Sequence, residues 1–221
     1  MTKVLKEHPE FRKMITTDEG NIYVMPFLLG DEMLSSVNGP ALRKDWLDKL
    51  GLKVPTTIAE WETVLTAFRD KDPNGNGKKD EIPYLATIKP ENETDLNHMF
   101  VGAYGITADF YQDGGKVQYG PIQPQFKEYI TQMARWYKEG LLDKDYATTD
   151  GKLKDAKVTN NQLGAFSAYA GSGIGRYTSL MQPTDAKVQF ISTTYPVVKA
   201  GDKALGQYTY PFTWLGAAIS V

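Results

Sequence analysis

The chain has 221 residues and a formal net charge of −2, from 25 basic and 27 acidic side chains. This balance argues against a nucleic-acid-binding protein, which carries a basic face, and against an acidic disordered tail. No apolar run approaches the roughly 20 residues that a membrane-spanning helix needs. There is no cysteine, which excludes disulfides, thiolate metal sites and cysteine nucleophiles.

The first 50 residues predict two helical regions and a strand. Apolar residues among charges over 3–15 predict a short helix that is broken near Pro9, and residues 22–27 predict a strand. Residues 28–40 are mixed and contain loop signals. An apolar residue at every fourth position of 42–50 predicts the next helix.

A second strong helix begins with a capping-box pattern. Thr57 is a suitable N-cap, and Glu60 stands three positions later. The side chains expected on its buried face are Ile58, Trp61, Val64, Leu65 and Phe68. A polar loop follows over 71–83.

The rest of the chain alternates between strands and helices, which predicts an α/β fold. Predicted strands occupy 84–88, 163–169, 188–198 and 207–221, and a hairpin turn at 113–116 joins two more. Predicted helices occupy 96–101, 125–139, 143–162 and the region around 177–180. The helix at 125–139 is expected to bury Phe126, Tyr129, Ile130, Met133, Trp136 and Tyr137. The last seven residues, LGAAISV, are mostly apolar and resemble the middle of a strand, so we expect the chain to be part of a longer protein.

The stretch 72–81 carries the clearest chemistry in the sequence. Oxygen-bearing side chains stand mostly at alternate positions, and Gly75 and Gly77 between them permit a tight turn. Such a loop can supply the roughly six to eight oxygens that Ca²⁺ takes. The predicted ligands are Asp72, Asn74, Asn76, the carbonyl of Lys78, Asp80 and Glu81.

This loop departs from an EF-hand, because its closing glutamate comes two positions early and Pro83 follows it. A solvated turn is the alternative interpretation, since Asp, Pro, Asn and Gly are common turn residues. Mg²⁺ is a weaker candidate, because it prefers fewer carboxylates and keeps several waters. No acid–base pair adjoins the loop, so we expect a structural Ca²⁺.

Residues 42–83 resemble extracellular solute-binding proteins of ABC importers, in the sugar-binding family and its lipoprotein branch. The resemblance rests on LRKDWLDKLGL at 42–52, VPTTIAEW at 54–61 and FRDKDPNGNGKKDEIP at 68–83. It is looser at 22–26, 137–143 and 210–221. Members of the family, including alginate-oligosaccharide binders, carry a structural calcium in the corresponding loop, which implies the same six ligands here.

The resemblance implies a periplasmic-binding-protein type II fold, in which two lobes close on a ligand. The chain would be mainly the second lobe with hinge strands. The expected division is a leading segment with the first interlobe crossing strand at 1–27, a second-lobe α/β domain at 28–209, and a truncated return crossing strand at 210–221. The signal peptide, lipidated cysteine and most of the first lobe would lie outside this chain.

A carbohydrate ligand would need aromatic faces and hydrogen-bonding side chains at the strand ends and loops near the hinge. The candidates chosen on this basis are Asp95, Asn97, Tyr104, Tyr169, Ser172 and Trp214. Core packing is an alternative role for Tyr104 and Trp214, and helix capping is one for Asp95. The glycine-rich stretch 171–175 lacks the spacing of a phosphate loop and is better interpreted as a strand-to-helix turn.

The expected function is extracellular binding of a solute, in particular an oligosaccharide, for uptake through an ABC permease, without catalysis. The full-length protein would be a membrane-anchored lipoprotein, with no nucleic-acid partner. No GxSxG or HExxH motif occurs, and neither His8 nor His98 has a catalytic setting. One alternative is a calcium-dependent polysaccharide-processing enzyme or its accessory carbohydrate-binding domain. The enzyme would need two carboxylates about 5–9.5 Å apart. Another is a lobe kept only for protein contacts.

Overall fold

The structure is a computed structural model and describes residues 2–29, 38–86, 99–206 and 212–218. Contacts divide the chain into two units: residues 1–37 together with 207–221, and residues 38–206. Helices and strands are mixed along the chain, which confirms the predicted α/β class. No helix in the described ranges combines the length and the apolar character that crossing a bilayer demands.

In its described residues, the first unit contains two short helices and a two-stranded sheet. Helix α1 spans Thr2–Glu7 and α2 spans Pro9–Ile15, so the predicted break at Pro9 is confirmed. Proline is tolerated there because the first N–H groups of a helix have no intrahelical acceptor. Strand β1 (Met25–Leu28) pairs antiparallel with β8 (Phe212–Ala217). Strand β1 is shorter than the predicted 22–27 strand and is shifted toward the C-terminus. Strand β8 lies within the predicted 207–221 strand, of which 207–211 and 219–221 are outside the described residues.

The second unit is built on a four-stranded mixed sheet. Its strands are β2 (Asn38–Arg43), β3 (Ile82–Leu85), β6 (Leu163–Tyr169) and β7 (Phe190–Ser192), in the order β3-β6-β2-β7. The pair β3 and β6 is parallel, whereas β2 is antiparallel to both β6 and β7.

The prediction of a loop up to Pro40 was wrong, because β2 already begins at Asn38. Pro40 pairs with Ser167 of β6, and its carbonyl accepts from the Thr193 N–H at 2.9 Å. Its missing N–H therefore faces the β7 side, where strand pairing begins only at Ala41. The predicted strand over 188–198 shrinks to the three residues of β7.

Among the residues that the structure describes, the second unit also contains five α-helices and a hairpin. The helices are α3 (Lys44–Leu50), α4 (Ile58–Asp70), α5 (Pro124–Lys138), α6 (Gly151–Thr159) and α7 (Arg176–Met181). The predicted hairpin is present as β4 (Phe110–Asp113) and β5 (Lys116–Tyr119). Both hydrogen bonds of the capping box at Thr57 and Glu60 are formed. The predicted helix over 143–162 contracts to α6, because Asp150 caps it only from Gly151 onward.

Successive residues along each strand belong to two different hydrophobic clusters, one on each face of the sheet. Leu42, Tyr84 and Ala165 join the cluster that α3, α4 and α5 cover. Their neighbours Ala41, Leu85 and Phe166 join the cluster that α6 and α7 cover. The period-two pattern of the strands thus places helices on both faces of one sheet.

Phe100 lies at the centre of the larger cluster. Its ring meets Trp61, Tyr84 and Trp136 edge-on, with ring centroids 4.9–5.3 Å apart. All five predicted apolar residues of α4 are buried. On α5 only Tyr129, Met133 and Trp136 are fully buried, whereas Ile130 and Tyr137 are more than 40% exposed, so that part of the prediction was wrong.

Candidate metal loop and ligand-contact residues

The metal loop, residues 72–81, begins directly after α4 and is organised around the carboxylate of Asp72. One carboxylate oxygen accepts from the N–H groups of Gly75 at 2.9 Å and Asn76 at 3.1 Å. The other accepts from the N–H of Gly77 at 3.0 Å. Asp72 has a φ of +46°, and Gly75 and Gly77 have φ near +75°. Glycine adopts this left-handed region without steric cost, which is why the chain can curl around the carboxylate.

Two asparagines extend this curl. Asn74 Oδ1 accepts from the Asn76 N–H at 3.0 Å, and Asn76 Oδ1 accepts from the Lys78 N–H at 2.7 Å. These are Asx turns, in which a side-chain oxygen replaces a backbone acceptor. An amide oxygen has two lone pairs, so each asparagine keeps one for a cation.

The Asp80 carboxylate accepts hydrogen bonds from three side-chain amides. It accepts from Asn74 Nδ2 at 3.1 Å, from Asn76 Nδ2 at 3.0 and 3.2 Å, and from Gln162 Nε2 at 3.2 Å. Hydrogen bonds from Asn76 first, and then from Asn74 and Gln162, lower the pKa of the Asp80 carboxyl. The carboxylate is therefore ionised at neutral pH and available as a ligand.

Glu81 closes the loop in a different environment. Its Oε1 is buried and has no hydrogen-bond partner among the residues that the structure describes. Burial first, and then the charges of Asp72 and Asp80, raise the pKa of its carboxyl. A buried acceptor without a donor costs about 1–3 kcal/mol, and a cation would remove both this cost and the repulsion between like charges.

Side chains from distant parts of the chain hold the metal loop in place. Lys49 Nζ donates to the carbonyl oxygens of Asp72 at 3.2 Å and Pro73 at 2.9 Å. Asn74 Nδ2 donates to the Asn161 carbonyl at 3.2 Å, beside the Gln162 contact with Asp80. Sequence reasoning missed these supports, and no local signal marks them, because their partners lie 23 to 87 residues away.

Within the described ranges, no three acidic, histidine or cysteine side chains gather as a metal-ligand cluster. The predicted set differs from such a cluster, since half of its members are two asparagine amides and a backbone carbonyl. Oxygen donors of this mixed kind suit a hard cation such as Ca²⁺. The six ligands remain predicted ones.

Two of the six candidate ligand-contact residues lie together in the second unit. Tyr169 ends β6 and is 44% exposed. Ser172 is exposed in the π-helical turn that follows, at Ala170–Gly175. An exposed aromatic side chain and an exposed hydroxyl thus stand three residues apart at the end of β6, and both assignments stay predictions.

Tyr104 has a different environment. It ends the short helical turn at Val101–Tyr104, and its half-buried ring packs 5.9 Å from that of Tyr129. Burial raises the pKa of Tyr104 to about 12. Trp214 lies on β8 of the first unit, and Asp95 and Asn97 lie outside the described residues.

Comparisons with known proteins identify relatives. No family model matches the chain. The fructooligosaccharide ABC transporter substrate-binding protein FusA of Streptococcus pneumoniae serotype 4 is 35% identical over 175 residues, which is 75% of this chain and 32% of FusA. Lipoprotein LipO of Bacillus subtilis is 27% identical over 187 residues, which is 81% of this chain and 35% of LipO. The chain thus spans about a third of the length of these relatives.

The solved structures that match this chain are of the same kind as these relatives. An HMO-binding, ABC-transporter-associated solute-binding protein from Bifidobacterium longum infantis matches with a TM-score of 0.76 and 26% identity, over 96% of this chain and 44% of its own. Alginate-binding protein AlgQ2, solved without calcium ion, matches with a TM-score of 0.70 and 27% identity, over 96% and 43%. An EF-hand mutant of FusA with fructo-nystose matches with a TM-score of 0.70 and 26% identity, over 96% and 42%.

These matches confirm the predicted solute-binding-protein fold, and this chain covers 42–44% of the length of the matched structures. Calcium is named for one of the relatives and an EF-hand for another. The chain is homologous to part of the substrate-binding proteins of sugar ABC transporters, as the resemblance over residues 42–83 implied.

Proposed function

We propose that this chain is the carbohydrate-binding lobe of an extracellular receptor that delivers oligosaccharides to an ABC permease, without catalysis. The observation that carries the proposal is the 35% identity to FusA over 175 residues. The fold agrees with it, since FusA in complex with kestose matches 96% of this chain at a TM-score of 0.70.

Calorimetric titration of the full-length protein tests this function. The panel contains kestose, fructo-nystose and alginate oligosaccharides, with amino acids and short peptides as controls. We expect one sugar to bind and to be recovered unchanged. Exclusive binding of amino acids or peptides would refute the sugar ligand, and hydrolysis of a panel sugar would refute the non-catalytic role.

For the metal loop we propose one structural Ca²⁺ held by Asp72, Asn74, Asn76, the Lys78 carbonyl, Asp80 and Glu81. Three observations support it: the backbone curl around Asp72, the free lone pairs of the asparagine oxygens, and the buried Oε1 of Glu81. The ion would join the end of α4 to the start of β3, since the loop lies between them. Ca²⁺ would act here by charge and coordination alone.

A competition titration against a fluorescent calcium chelator tests the site. We expect one Ca²⁺ per wild-type chain and a binding at least about tenfold weaker in Asp80→Asn, because a charged ligand is lost. Glu128→Gln, a neutralisation on the exposed side of α5, is the control and should bind like the wild type. Equal affinity of Asp80→Asn and wild type would contradict the ligand set.

We also propose that Tyr169 and Ser172 contact the sugar, with Tyr104, Asp95, Asn97 and Trp214 as the further predicted contacts. An exposed tyrosine ring can pack against the apolar face of a pyranose or furanose, and stacking of this kind is lost on truncation. Tyr169→Ala should therefore raise the dissociation constant at least about tenfold. Leu180→Ala, at a comparably exposed apolar side chain on α7, should leave it unchanged.

The proposed location is the outer face of the cell membrane, through a lipid anchor on the full-length protein. The support is that LipO, with 27% identity, is by name a lipoprotein. Detergent phase partitioning of the full-length protein from its own cells tests the anchor. Recovery in the detergent phase and sensitivity to protease on intact cells are expected, and recovery in the aqueous phase would contradict it.

A further inference from the structure

The glycine-rich turn, Ala170–Gly175, has few restraints of its own. Glycines occupy positions 171, 173 and 175, and glycine loses more backbone freedom on ordering than any other residue. Gly173 lies against the sheet, where an added Cβ would come within 2.7 Å of Ala168 Cβ. Besides this contact and the packing of Ile174 on the cluster that α6 and α7 cover, the order of the turn depends on the elements at its two ends, β6 and α7.

The α7 end is held by one carboxylate. Asp155 of α6 accepts from Arg176 Nη1 at 2.8 Å and Nη2 at 2.6 Å, and from the Tyr177 hydroxyl at 2.6 Å. Arg176 and Tyr177 are the first two residues of α7, directly after the turn. Three donors bind one carboxylate, and two of them belong to a planar guanidinium. This geometry fixes the orientation of α7 relative to α6 as well as the distance between them.

This contact reaches the turn through the backbone and the core. The Arg176 N–H donates to the carbonyls of Gly171 and Gly173 and so closes the turn. The Tyr177 ring is buried, and it meets Phe166 of β6 edge-on at 5.5 Å. Moving the start of α7 would thus disturb both the closure of the turn and its packing on β6.

We propose that Asp155 is a positioning residue for the ligand site: it holds the start of α7 and thereby fixes the turn that places Ser172 next to Tyr169. The inference rests on the proposed function, because it gives that segment a role in sugar contact. Asp155 itself need not touch the ligand. The hydrogen bonds from Arg176 lower the pKa of the Asp155 carboxyl to about 2, so this acceptor is ionised at neutral pH.

The expected consequence is a loss of preorganisation. Without the carboxylate, the turn would sample more conformations, and ligand binding would have to order it again. Asp155→Ala should therefore raise the dissociation constant for the sugar about 3- to 10-fold. It should also speed hydrogen exchange of the turn amides by a similar factor before any sugar is added.

The test combines amide hydrogen exchange over 169–177 with calorimetry against the kestose, fructo-nystose and alginate panel, on the full-length protein. Asp155→Glu keeps the charge and should recover most of the protection and affinity. The matched control is Glu62→Gln, which disturbs a similar contact elsewhere. There a carboxylate on α4 accepts from Arg135 at 2.7 Å and from Trp136 Nε1 at 3.1 Å, both on α5.

Faster exchange with weaker binding in Asp155→Ala, and neither in Glu62→Gln, would support the proposal. Unchanged exchange over 170–175, or faster exchange with unchanged affinity, would overturn it. If the wild type binds no sugar of the panel, the proposed function fails and this inference fails with it. A wild type that binds and an Asp155→Ala that binds equally well would refute this inference alone.

Discussion

Replacing Glu81 with glutamine should change stability in opposite directions with and without Ca²⁺. In the metal-free protein, Oε1 of Glu81 is buried without a partner in the described residues, and the charges of Asp72 and Asp80 disfavour its ionised form. A neutral amide removes this repulsion and adds two N–H donors. The metal-free variant should therefore be as stable as the wild type, or up to about 1 kcal/mol more stable.

With Ca²⁺ the sign reverses, because the same substitution removes a charged ligand. Ca²⁺ at 100 times its dissociation constant stabilises the native state by about 2.7 kcal/mol. For a domain of this size, about 1 kcal/mol shifts Tm by roughly 2–4 °C, so the wild type should gain about 5–11 °C. A tenfold weaker site would forfeit about half of that gain.

The assay is thermal unfolding of wild type and Glu81→Gln in EDTA, in Ca²⁺ and in Mg²⁺, with Glu128→Gln as the control for charge. Mg²⁺ should stabilise less than Ca²⁺, since it retains its waters. Two results would refute the reasoning. One is a wild-type Tm that neither EDTA nor Ca²⁺ changes, and the other is an equal loss of stability in Glu81→Gln under both conditions.

Three further predictions concern stability. Gly164→Ala should cost at least about 2 kcal/mol in urea unfolding, because its Cβ would lie 2.6 Å from Phe68 Cδ2; a cost below about 0.5 kcal/mol would contradict this packing. Thr57→Ala should cost about 1 kcal/mol by the same assay, since it removes the N-cap acceptor of α4, and no loss would contradict the cap. Asp155→Asn should cost less than about 1 kcal/mol at pH 7, because the pair is partly exposed. This difference should disappear as the pH falls from about 4 toward 2, because a carboxyl with a pKa lowered to about 2 contributes stability only while it is ionised; a difference that persists at pH 2 would contradict the pairing.

Features that depend on neighbouring residues were predicted well from the sequence. The capping box of α4 needs only Thr57 and Glu60 on one turn of helix, and both of its hydrogen bonds are present. The curl of the metal loop depends on Asp72 and two glycines within five residues, and the structure forms it. In both cases the acceptor and the donors are close in sequence, so the residue pattern is enough to predict the hydrogen bonds.

Features that depend on distant residues were not predicted. Pro40 resembles a loop residue, and only the place where β7 begins to pair explains how it fits inside β2. Gln162 supports Asp80 across 82 residues of sequence. Ile130 and Tyr137 follow the helical pattern, but only the narrower stripe of Tyr129, Met133 and Trp136 on α5 is buried in the core.

The ligand contacts are the part of the candidate site that sequence patterns predict least well. Asp95 and Asn97 lie outside the described residues, and Trp214 belongs to a different unit from Tyr169. A cleft between two lobes is formed by residues that no single stretch of sequence brings together. Helical or strand periodicity predicts which side chains are buried within one lobe. It does not predict which side chains contact a ligand that lies between two lobes.

Calorimetric titration of the full-length protein with the oligosaccharide panel tests the central claim most directly. The account predicts saturable binding of at least one oligosaccharide, with the sugar recovered intact, and weaker binding after Tyr169→Ala. Binding only of amino acids or peptides, or turnover of a bound sugar, would contradict it.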